Sequence, residues 1–184
     1  MMESQAPAMR PQPPMTPENK PSAPAPTARG PADAEVAGVI AWPPALFLGS
    51  IAIGVLAHLA MSVRVFPQVP ARISGGILCG LAIVVALWAE RAMHRAGTCV
   101  HPWKPTKALV LSGPFQFSRN PMYVSLCVMH LGVGLLVNGW WPIAMTPVLF
   151  AVLWWGVVAR EERYLERRFG EPYRHYRRSV RRWV

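Results

Sequence analysis

Long runs of apolar residues alternate with short polar connections along most of the chain. The first run predicts a helix over about residues 44–65, and Ala45–Ser62 within it carry no formal charge. Further runs predict helices over about 73–89, 121–137 and 142–158. A helix needs about 20 apolar residues to cross the hydrocarbon of a bilayer. The pattern therefore predicts an all-α membrane protein with four membrane-spanning helices.

Small residues, prolines and histidines refine this picture of the four helices. The glycines of the second helix predict a thin, closely packing face formed by Gly75, Gly76 and Gly80. Because the 138–141 loop is short, the last two helices are expected to be antiparallel neighbours. The two tryptophans of this loop are expected at a membrane interface, and Pro147 is expected to kink the fourth helix. We expect His58 and His130, inside the first and third helices, to be neutral and hydrogen-bonded between helices.

The N-terminal segment has a different composition from the rest of the chain. Residues 1–37 contain nine of the 20 prolines and no tryptophan or phenylalanine. They have too few large apolar groups to offset the entropy of ordering, so we expect a disordered tail. A basic stretch followed by an apolar one is missing, which argues against a cleavable signal peptide. We place the boundary of the membrane domain, residues 38–184, at Gly38.

Composition excludes several classes of protein. Only 15% of the residues are charged and 52% are hydrophobic, whereas soluble domains carry about 25% charged residues. A soluble enzyme, a nucleic-acid module and a disulfide-rich secreted scaffold all fit poorly. Cys79, Cys99 and Cys127 form no CxxC pair, so we expect free thiols and no metal site.

The net charge of +10 is unevenly distributed and predicts the orientation. The 90–119 connection holds five basic residues and the tail from Arg160 holds nine arginines. The turn after the first helix has only Arg64 and Arg72. Since basic loops remain on the cytoplasmic side, both termini are expected to be cytoplasmic.

The C-terminal tail predicts an amphipathic helix. Gly170 ends the preceding helix and Pro172 suits the first turn of a new one. Arginines occupy one face, which favours an anionic membrane leaflet as the partner. Nucleic acid is the rival partner for so many arginines, but it leaves the aromatic face unexplained. That face comprises, at spacings of 4, 3, 4 and 3, Phe169, Tyr173, Tyr176, Val180 and Trp183.

Two clusters of polar residues carry the candidate chemistry. At the start of the third helix, the side chain of Asn120 is expected to accept a backbone N–H as N-cap, and Pro121 suits the first helical position. The free backbone N–H groups of this helix start attract a carboxylate. Arg119 and Tyr123 lie beside this start, and Glu161 follows the fourth helix at the same membrane depth. Such a site suits a zwitterionic, cationic ligand such as S-adenosylmethionine. A well-capped helix and carboxylates paired with nearby arginines explain the same residues equally well.

The segments GPFQFSRNPMY (113–123) and REERYLERRFGEPYRHYRRSVRRW (160–183) resemble the isoprenylcysteine carboxyl methyltransferase and phospholipid methyltransferase superfamily. The resemblance covers about residues 73–184. It implies a small integral membrane enzyme that uses S-adenosylmethionine without a Rossmann fold. It also implies a cofactor pocket open to the cytosol and a lipid-side tunnel for a lipidic or prenyl-bearing methyl acceptor.

The resemblance also implies roles for individual residues. Catalytic positions would be Arg119, Tyr123 and Arg160, without a classical general base. Asn120 stands where the eukaryotic prenylcysteine enzymes have histidine, and Val157 where they have arginine. The cofactor-binding positions would be Lys107, Ala108, Leu109, Val110, Phe115, Asn120, Pro121, Met122, Tyr123, Glu161 and Glu162.

The expected activity is methyl transfer to a lipidic acceptor. O-methylation of a prenylcysteine-like carboxylate is the first interpretation, and N-methylation of a phospholipid amine is the alternative. A non-catalytic membrane protein that kept the fold is a further alternative.

Overall fold

A computed structural model describes residues 38–98 and 106–184 of the chain. The described residues form six α-helices, a 3₁₀ turn and a π-helical segment, with only an isolated bridge between Arg64 and Gly139. The all-α prediction is confirmed. The expected disorder of residues 1–37 and the thiol of Cys99 fall outside the described residues. The helices are α1 Pro43–Ala60, α2 Gln68–Arg95, α3 Pro121–Val137, α4 Trp140–Leu153, α5 Ala159–Phe169 and α6 Glu171–Ser179.

Three helical segments are long and apolar enough to cross a membrane, namely α1, α2 and the continuous segment from Trp140 to Phe169. The shorter α3 is also apolar and has the bounds predicted from the sequence. α2 is longer than its predicted span of 73–89, because the polar residues after Ala89 end an apolar run without ending a helix. α1 is shorter than predicted, because the chain turns after Ala60.

The fourth helical segment changes from α-helical to π-helical hydrogen bonding between its apolar part, α4, and its charged part, α5. Pro147 lies inside α4, and the π-helical turn Trp154–Val158 then connects α4 to α5. Gly170 ends α5 with a φ of 58°, a conformation that glycine adopts without a steric penalty. Pro172 lies in the first turn of α6, so the predicted helix break is confirmed. The π-helical turn is not predicted by the sequence pattern.

α2 and α3 pack with their backbones in close contact through two glycines. A Cβ at Gly75 would lie 2.7 Å from the carbonyl oxygen of Gly132. A Cβ at Gly132 would lie 2.7 Å from Sγ of Cys79. The prediction for Gly75 is confirmed, but it is wrong for Gly76 and Gly80, where an added Cβ would meet no described atom within 4 Å. Only one face of α2 contacts α3, and Gly76 and Gly80 lie outside that face.

Asn138 connects two turns at the end of the bundle opposite the C-terminal helices. This residue is buried and has a φ of 53°, in the left-handed region that asparagine tolerates. Its Oδ1 accepts a 3.2 Å hydrogen bond from the N–H of Phe66, and its Nδ2 donates a 2.7 Å hydrogen bond to the carbonyl of Phe66. Trp141 Nε1 donates to the carbonyl of Met61 at 3.0 Å. These contacts join the α1–α2 turn to the α3–α4 turn.

The two intramembrane histidines behave differently. His130 is fully buried, and its Nδ1 lies 3.0 Å from Oγ1 of Thr146, which joins α3 to α4 as predicted. Phe47 of α1 packs edge-on against the His130 ring at 5.7 Å. The buried Nδ1 of His58 has no hydrogen-bond partner among the described residues, so the same prediction is wrong for His58.

The aromatic face of the C-terminal tail lies against the protein and not outside it. Tyr173 and Tyr176 are only 1% and 6% exposed. α6 ends at Ser179, and the ring of Trp183 packs against Phe150 and Trp154 at 4.8 and 5.7 Å. The expectation that this face rests on a leaflet is therefore corrected for these residues, because the protein itself supplies their apolar partners.

Candidate functional site

A cavity of about 230 Å³ lies where the N-terminal ends of α1 and α3 meet α5 and α6. The connection 106–120 forms another of its walls, and Met93 and Thr98 at the end of α2 complete it. Most of the wall is apolar, with a few convergent charged and polar groups. That composition is typical of small-molecule and cofactor sites.

Tyr123 and Glu161 form the first polar pair in the cavity. Oη of Tyr123 donates a 2.7 Å hydrogen bond to Oε1 of Glu161. Tyr123 lies in the first turn of α3, and Glu161 lies in the first turn of α5. The antiparallel hairpin of α3 and α4 brings these two turns to the same end of the bundle. The carboxylate retains Oε2 for a further donor.

Glu162 is held by two arginines from different parts of the chain. Nη1 of Arg119 lies 3.1 Å from Oε1 of Glu162. Arg182 donates from Nη2 to Oε2 at 2.6 Å and from Nε to Oε1 at 3.1 Å, a bidentate arrangement. The side chains of Arg119 and Glu162 are only 8% and 9% exposed. The bidentate ion pair between Arg182 and Glu162 holds the C-terminal residues against α5.

Arg119 has unused donor capacity inside the cavity wall. Its buried Nε has no hydrogen-bond partner among the described residues, and its Nη1 contacts Glu162 as an ion pair without hydrogen-bond alignment. A buried donor without an acceptor is costly, by about 1–3 kcal/mol or more when it is charged. An anionic group in the cavity beside Arg119 would remove that cost.

Residues 180–184, the C-terminal strap, close the site by backbone contacts. The N–H of Arg119 donates to the carbonyl of Arg181 at 2.9 Å, and Nδ2 of Asn120 donates to the carbonyl of Arg182 at 3.0 Å. Asn120 is the N-cap residue of α3 and Pro121 follows it, as predicted. The predicted side-chain cap is wrong, however: Oδ1 of Asn120 makes no capping bond, and Nδ2 donates to the strap.

The connection before α3 is anchored by its backbone to α5 and to the end of α2. The N–H of Thr106 donates to Oη of Tyr164 at 3.1 Å, and Nε of Arg168 donates to the Thr106 carbonyl at 2.6 Å. The N–H of Lys107 donates to Oγ1 of Thr98 at 3.3 Å. These bonds hold Ala108–Val110 along one wall of the cavity.

Two tyrosines of α6 supply an uncharged wall. Burial, reinforced by the charge of Glu162, raises the pKa of Tyr173 to about 12, although Arg119 acts in the opposite direction. Burial also raises the pKa of Tyr176, whose Oη donates a 2.7 Å hydrogen bond to the carbonyl of Phe115. Both phenols therefore stay protonated at neutral pH and act as donors or apolar surfaces, not as bases.

The structure brings together most of the residues that the sequence singled out. Lys107 does not line the cavity, because its side chain is exposed and only its backbone is anchored. Arg160 is a correction to the expected catalytic set, since its Nη1 donates to the carbonyl of Gly38 at 3.0 Å outside the cavity. The predicted residues that do line it are Ala108, Leu109, Val110, Phe115, Arg119, Asn120, Pro121, Met122, Tyr123, Glu161 and Glu162.

Sequence reasoning missed other parts of the site. The start of α1, Trp42–Pro44, lines the cavity although it lies far from the motifs along the chain. The sequence pattern assigned Tyr173 and Tyr176 to a leaflet and gave Arg182 no role beyond its charge. The three-residue spacing of the two tyrosines signalled a buried face, but the pattern alone does not distinguish lipid from protein as its partner.

Comparisons with known proteins identify the sequence relatives of the chain. The family of phospholipid methyltransferases matches residues 70–172. A cobalt-zinc-cadmium resistance protein, CzcN, of Cupriavidus metallidurans is 30% identical over 99 residues, which are 54% of this chain and 42% of that protein. An uncharacterized protein of Haemophilus influenzae is 59% identical over 27 residues, which are 15% of this chain and 43% of that protein. The matches span less than half the length of these relatives, and no solved structure matches.

Proposed function

The chain belongs to the phospholipid methyltransferase family, and on that premise we propose that it uses S-adenosylmethionine to methylate a lipidic acceptor. This family is part of a superfamily of membrane methyltransferases that also contains the isoprenylcysteine carboxyl enzymes. The observation that carries the proposal is that one cavity is lined both by the guanidinium of Arg119, whose Nε has no acceptor among the described residues, and by the carboxylate of Glu161. A cation and an anion in one small apolar cavity complement a zwitterionic cofactor.

The residues present fit such a cofactor. Its carboxylate would satisfy the buried Nε of Arg119, which lacks an acceptor among the described residues. Its amino group would bind Glu161, whose Oε1 already accepts from Tyr123. The rings of Phe115 and Tyr123 would stabilise a sulfonium by cation–π contact, worth about 0.5–2 kcal/mol each. The apolar strip Ala108–Val110 would cover the remainder of the molecule.

The mechanism needs positioning more than proton transfer. When bound, the cofactor supplies an electrophilic methyl group on its sulfonium sulfur. The chain binds and orients the reactants through Arg119 and Glu161, and the strap holds Asn120 and Glu162 in place. Holding two reactants in line at near-attack distance removes much of the entropic part of the barrier. The mostly apolar wall excludes water that would screen these charges.

A lipidic acceptor suits the membrane side of the cavity. Pro43 and Pro44, at the start of the apolar helix α1, and Leu126, beyond the first turn of α3, all line the cavity. The cavity wall therefore continues toward the apolar part of the helix bundle. A carboxylate acceptor of the isoprenylcysteine kind needs no deprotonation at neutral pH, which agrees with buried tyrosines that stay protonated. Phospholipid N-methylation is the second candidate, and the matching family description favours it.

The cofactor is tested by equilibrium dialysis of labelled S-adenosylmethionine against the full chain purified in detergent. We expect saturable binding that S-adenosylhomocysteine displaces. Glu161→Gln should weaken it, whereas Glu166→Gln, on the same helix but paired outside the cavity with Arg174 and Arg177, should not. Absence of binding in folded wild-type protein would contradict the proposal.

The acceptor class is tested by transfer of the labelled methyl group to membrane lipid. A methyl ester releases volatile methanol when treated with base, whereas an N-methyl group remains in a non-volatile head-group product. Volatile label would support O-methylation of a carboxylate, and base-stable label would support phospholipid N-methylation. The placement of this site at the cytoplasmic face, and contact of the arginines of α6 with anionic lipid, belong to the same proposal.

A further inference from the structure

A second apolar depression lies on the outside of the fourth helical segment, away from the cavity. We call it the outer groove. Ile40 forms one rim, and Arg160 lies at the end nearer the C-terminal helices. Its remaining lining residues follow one face of the helix at four-residue spacing, and they are Pro147, Val148, Ala151, Val152, Trp155 and Gly156.

The floor of the outer groove is built from small residues and fixed by the start of the chain that the structure describes. A Cβ at Gly156 would collide with the side chain of Ile40, so glycine lets Ile40 lie directly on the π-helical turn. The N–H of Ile40 donates to the carbonyl of Gly156 at 3.3 Å. Trp155 is 71% exposed on the opposite rim. The contact of Ile40 with Gly156 therefore gives the groove a defined wall at the π-helical turn.

The length of the outer groove fits one leaflet of a bilayer. Arg160 lies 13 positions after Pro147, which corresponds to about 20 Å at a helical rise of 1.5 Å per residue. One leaflet has about 15 Å of hydrocarbon. With Arg160 placed at the interface, the groove would extend to about the middle of the membrane, and Trp155 would lie near the interface as well.

Arg160 gives the outer groove its charge. Among the described residues, its guanidinium makes one hydrogen bond, from Nη1 to the carbonyl of Gly38. No carboxylate among the described residues forms an ion pair with it, because the adjacent Glu161 faces the cavity and binds Tyr123. Since guanidinium has five N–H donors, several remain for a phosphate.

From the apolar floor, the leaflet-length span and an arginine without an ion-pair partner among the described residues, we propose that the outer groove binds one anionic phospholipid. An acyl chain lies against Ala151 and Gly156, and the phosphate accepts from Arg160. The site is separate from the methyl-transfer cavity and does not depend on the proposed activity. The lipid would act as a bound structural ligand holding residues 38–40 against the π-helical turn.

The test is native mass spectrometry of the full chain in lipid-free detergent. The protein is titrated with phosphatidylglycerol or with phosphatidylcholine of the same acyl chains. Wild type should retain one phosphatidylglycerol with at least tenfold preference. Arg160→Gln should remove that preference, and Arg160→Lys should preserve most of it. The matched control is Arg163→Gln, because Arg163 is exposed on the same helix and, within the part of the chain that the structure describes, hydrogen-bonds its own helix backbone at Ala159.

The apolar part of the proposal needs a second variant. Ala151→Trp fills the groove without changing any charge and should weaken binding of both lipids. Equal retention of the two lipids by wild type would overturn the proposal. So would equal losses in Arg160→Gln and Arg163→Gln, which would indicate a diffuse basic surface, or unchanged lipid binding in Ala151→Trp. Because Arg160 and Ala151 are not buried, all four variants should elute as folded protein.

Discussion

Oη of Tyr123 donates a 2.7 Å hydrogen bond to Oε1 of Glu161, and this bond joins the first turn of α3 to the first turn of α5. The two residues are 38 positions apart in the chain. Their contact depends on the hairpin of α3 and α4 and on the helical continuity through the π-helical turn. The candidate site is thus assembled by the membrane bundle itself and not by a separate soluble domain.

The Tyr123–Glu161 pair predicts two separable effects on cofactor affinity. Glu161→Gln removes the charge and should raise the dissociation constant for S-adenosylmethionine about tenfold to hundredfold, the loss expected for a charge-assisted hydrogen bond. Tyr123→Phe keeps the charge and the ring and should have a smaller effect. Equilibrium dialysis measures both, with Glu166→Gln as the control. A larger loss in Tyr123→Phe than in Glu161→Gln would contradict this assignment.

The C-terminal strap predicts a remote effect on the same site. Arg182→Gln removes the bidentate contact with Glu162 and the guanidinium stacked over Trp154 at 5.4 Å. Arg119 then faces Glu162 alone, and we expect about tenfold weaker cofactor binding. Arg178 lies on the same tail with a 73% exposed side chain and a loose pairing to Glu171. Arg178→Gln should therefore bind cofactor like wild type, and an equal loss in both variants would indicate a general charge effect.

Packing of α2 on α3 predicts a clear difference between glycines. Gly132→Ala places a methyl group against Cys79 and the backbone of Gly75, so it should lower the thermal stability in detergent. Overpacking of this kind costs about 1–3 kcal/mol. Gly76→Ala, in the adjacent helix with open space around its Cα, should leave the melting temperature unchanged or slightly higher. Equal melting temperatures for both variants would show that the helices do not meet through these residues.

Charge distribution predicts the orientation in the membrane. Reporter fusions after Val184 and in the loop at Asn138–Gly139 should report opposite sides, with the C-terminus cytoplasmic. A cavity beside α5 and α6 would then draw its cofactor from the cytoplasm. A non-cytoplasmic signal at Val184 would remove that access route, whatever the chemistry of the site.

Much of the fold could be predicted because the apolar runs and helix-ending residues are local signals. α3 has its predicted bounds, and Gly170 with Pro172 marks the break between α5 and α6. Boundaries were missed where polar residues continue a helix, as in α2 beyond Ala89. The predicted glycine face was confirmed at Gly75 and wrong at Gly76 and Gly80, because composition shows where a helix is thin but not which side meets its neighbour.

The candidate site could be predicted only where its residues lie in contiguous motifs. The stretch from Arg119 to Tyr123 and the pair Glu161–Glu162 were found by motif and helix position. Arg182 was missed, because its contact with Glu162 exists only once the tail folds back over α5. Arg160 was misplaced, because adjacent helical residues point in different directions, and Arg160 points away from the cavity that Glu161 and Glu162 line.

The most direct test of the central claim is transfer of a labelled methyl group from S-adenosylmethionine into lipid by the purified full chain in liposomes. Liposomes of total membrane lipid supply the unidentified acceptor. We expect time-dependent label in the organic phase with wild type and Glu166→Gln, and at least a tenfold lower rate with Glu161→Gln at subsaturating cofactor. Folded wild-type protein that transfers no label to any lipid fraction, or equal rates in all three proteins, would contradict the assignment of this cavity as a methyl-transfer site.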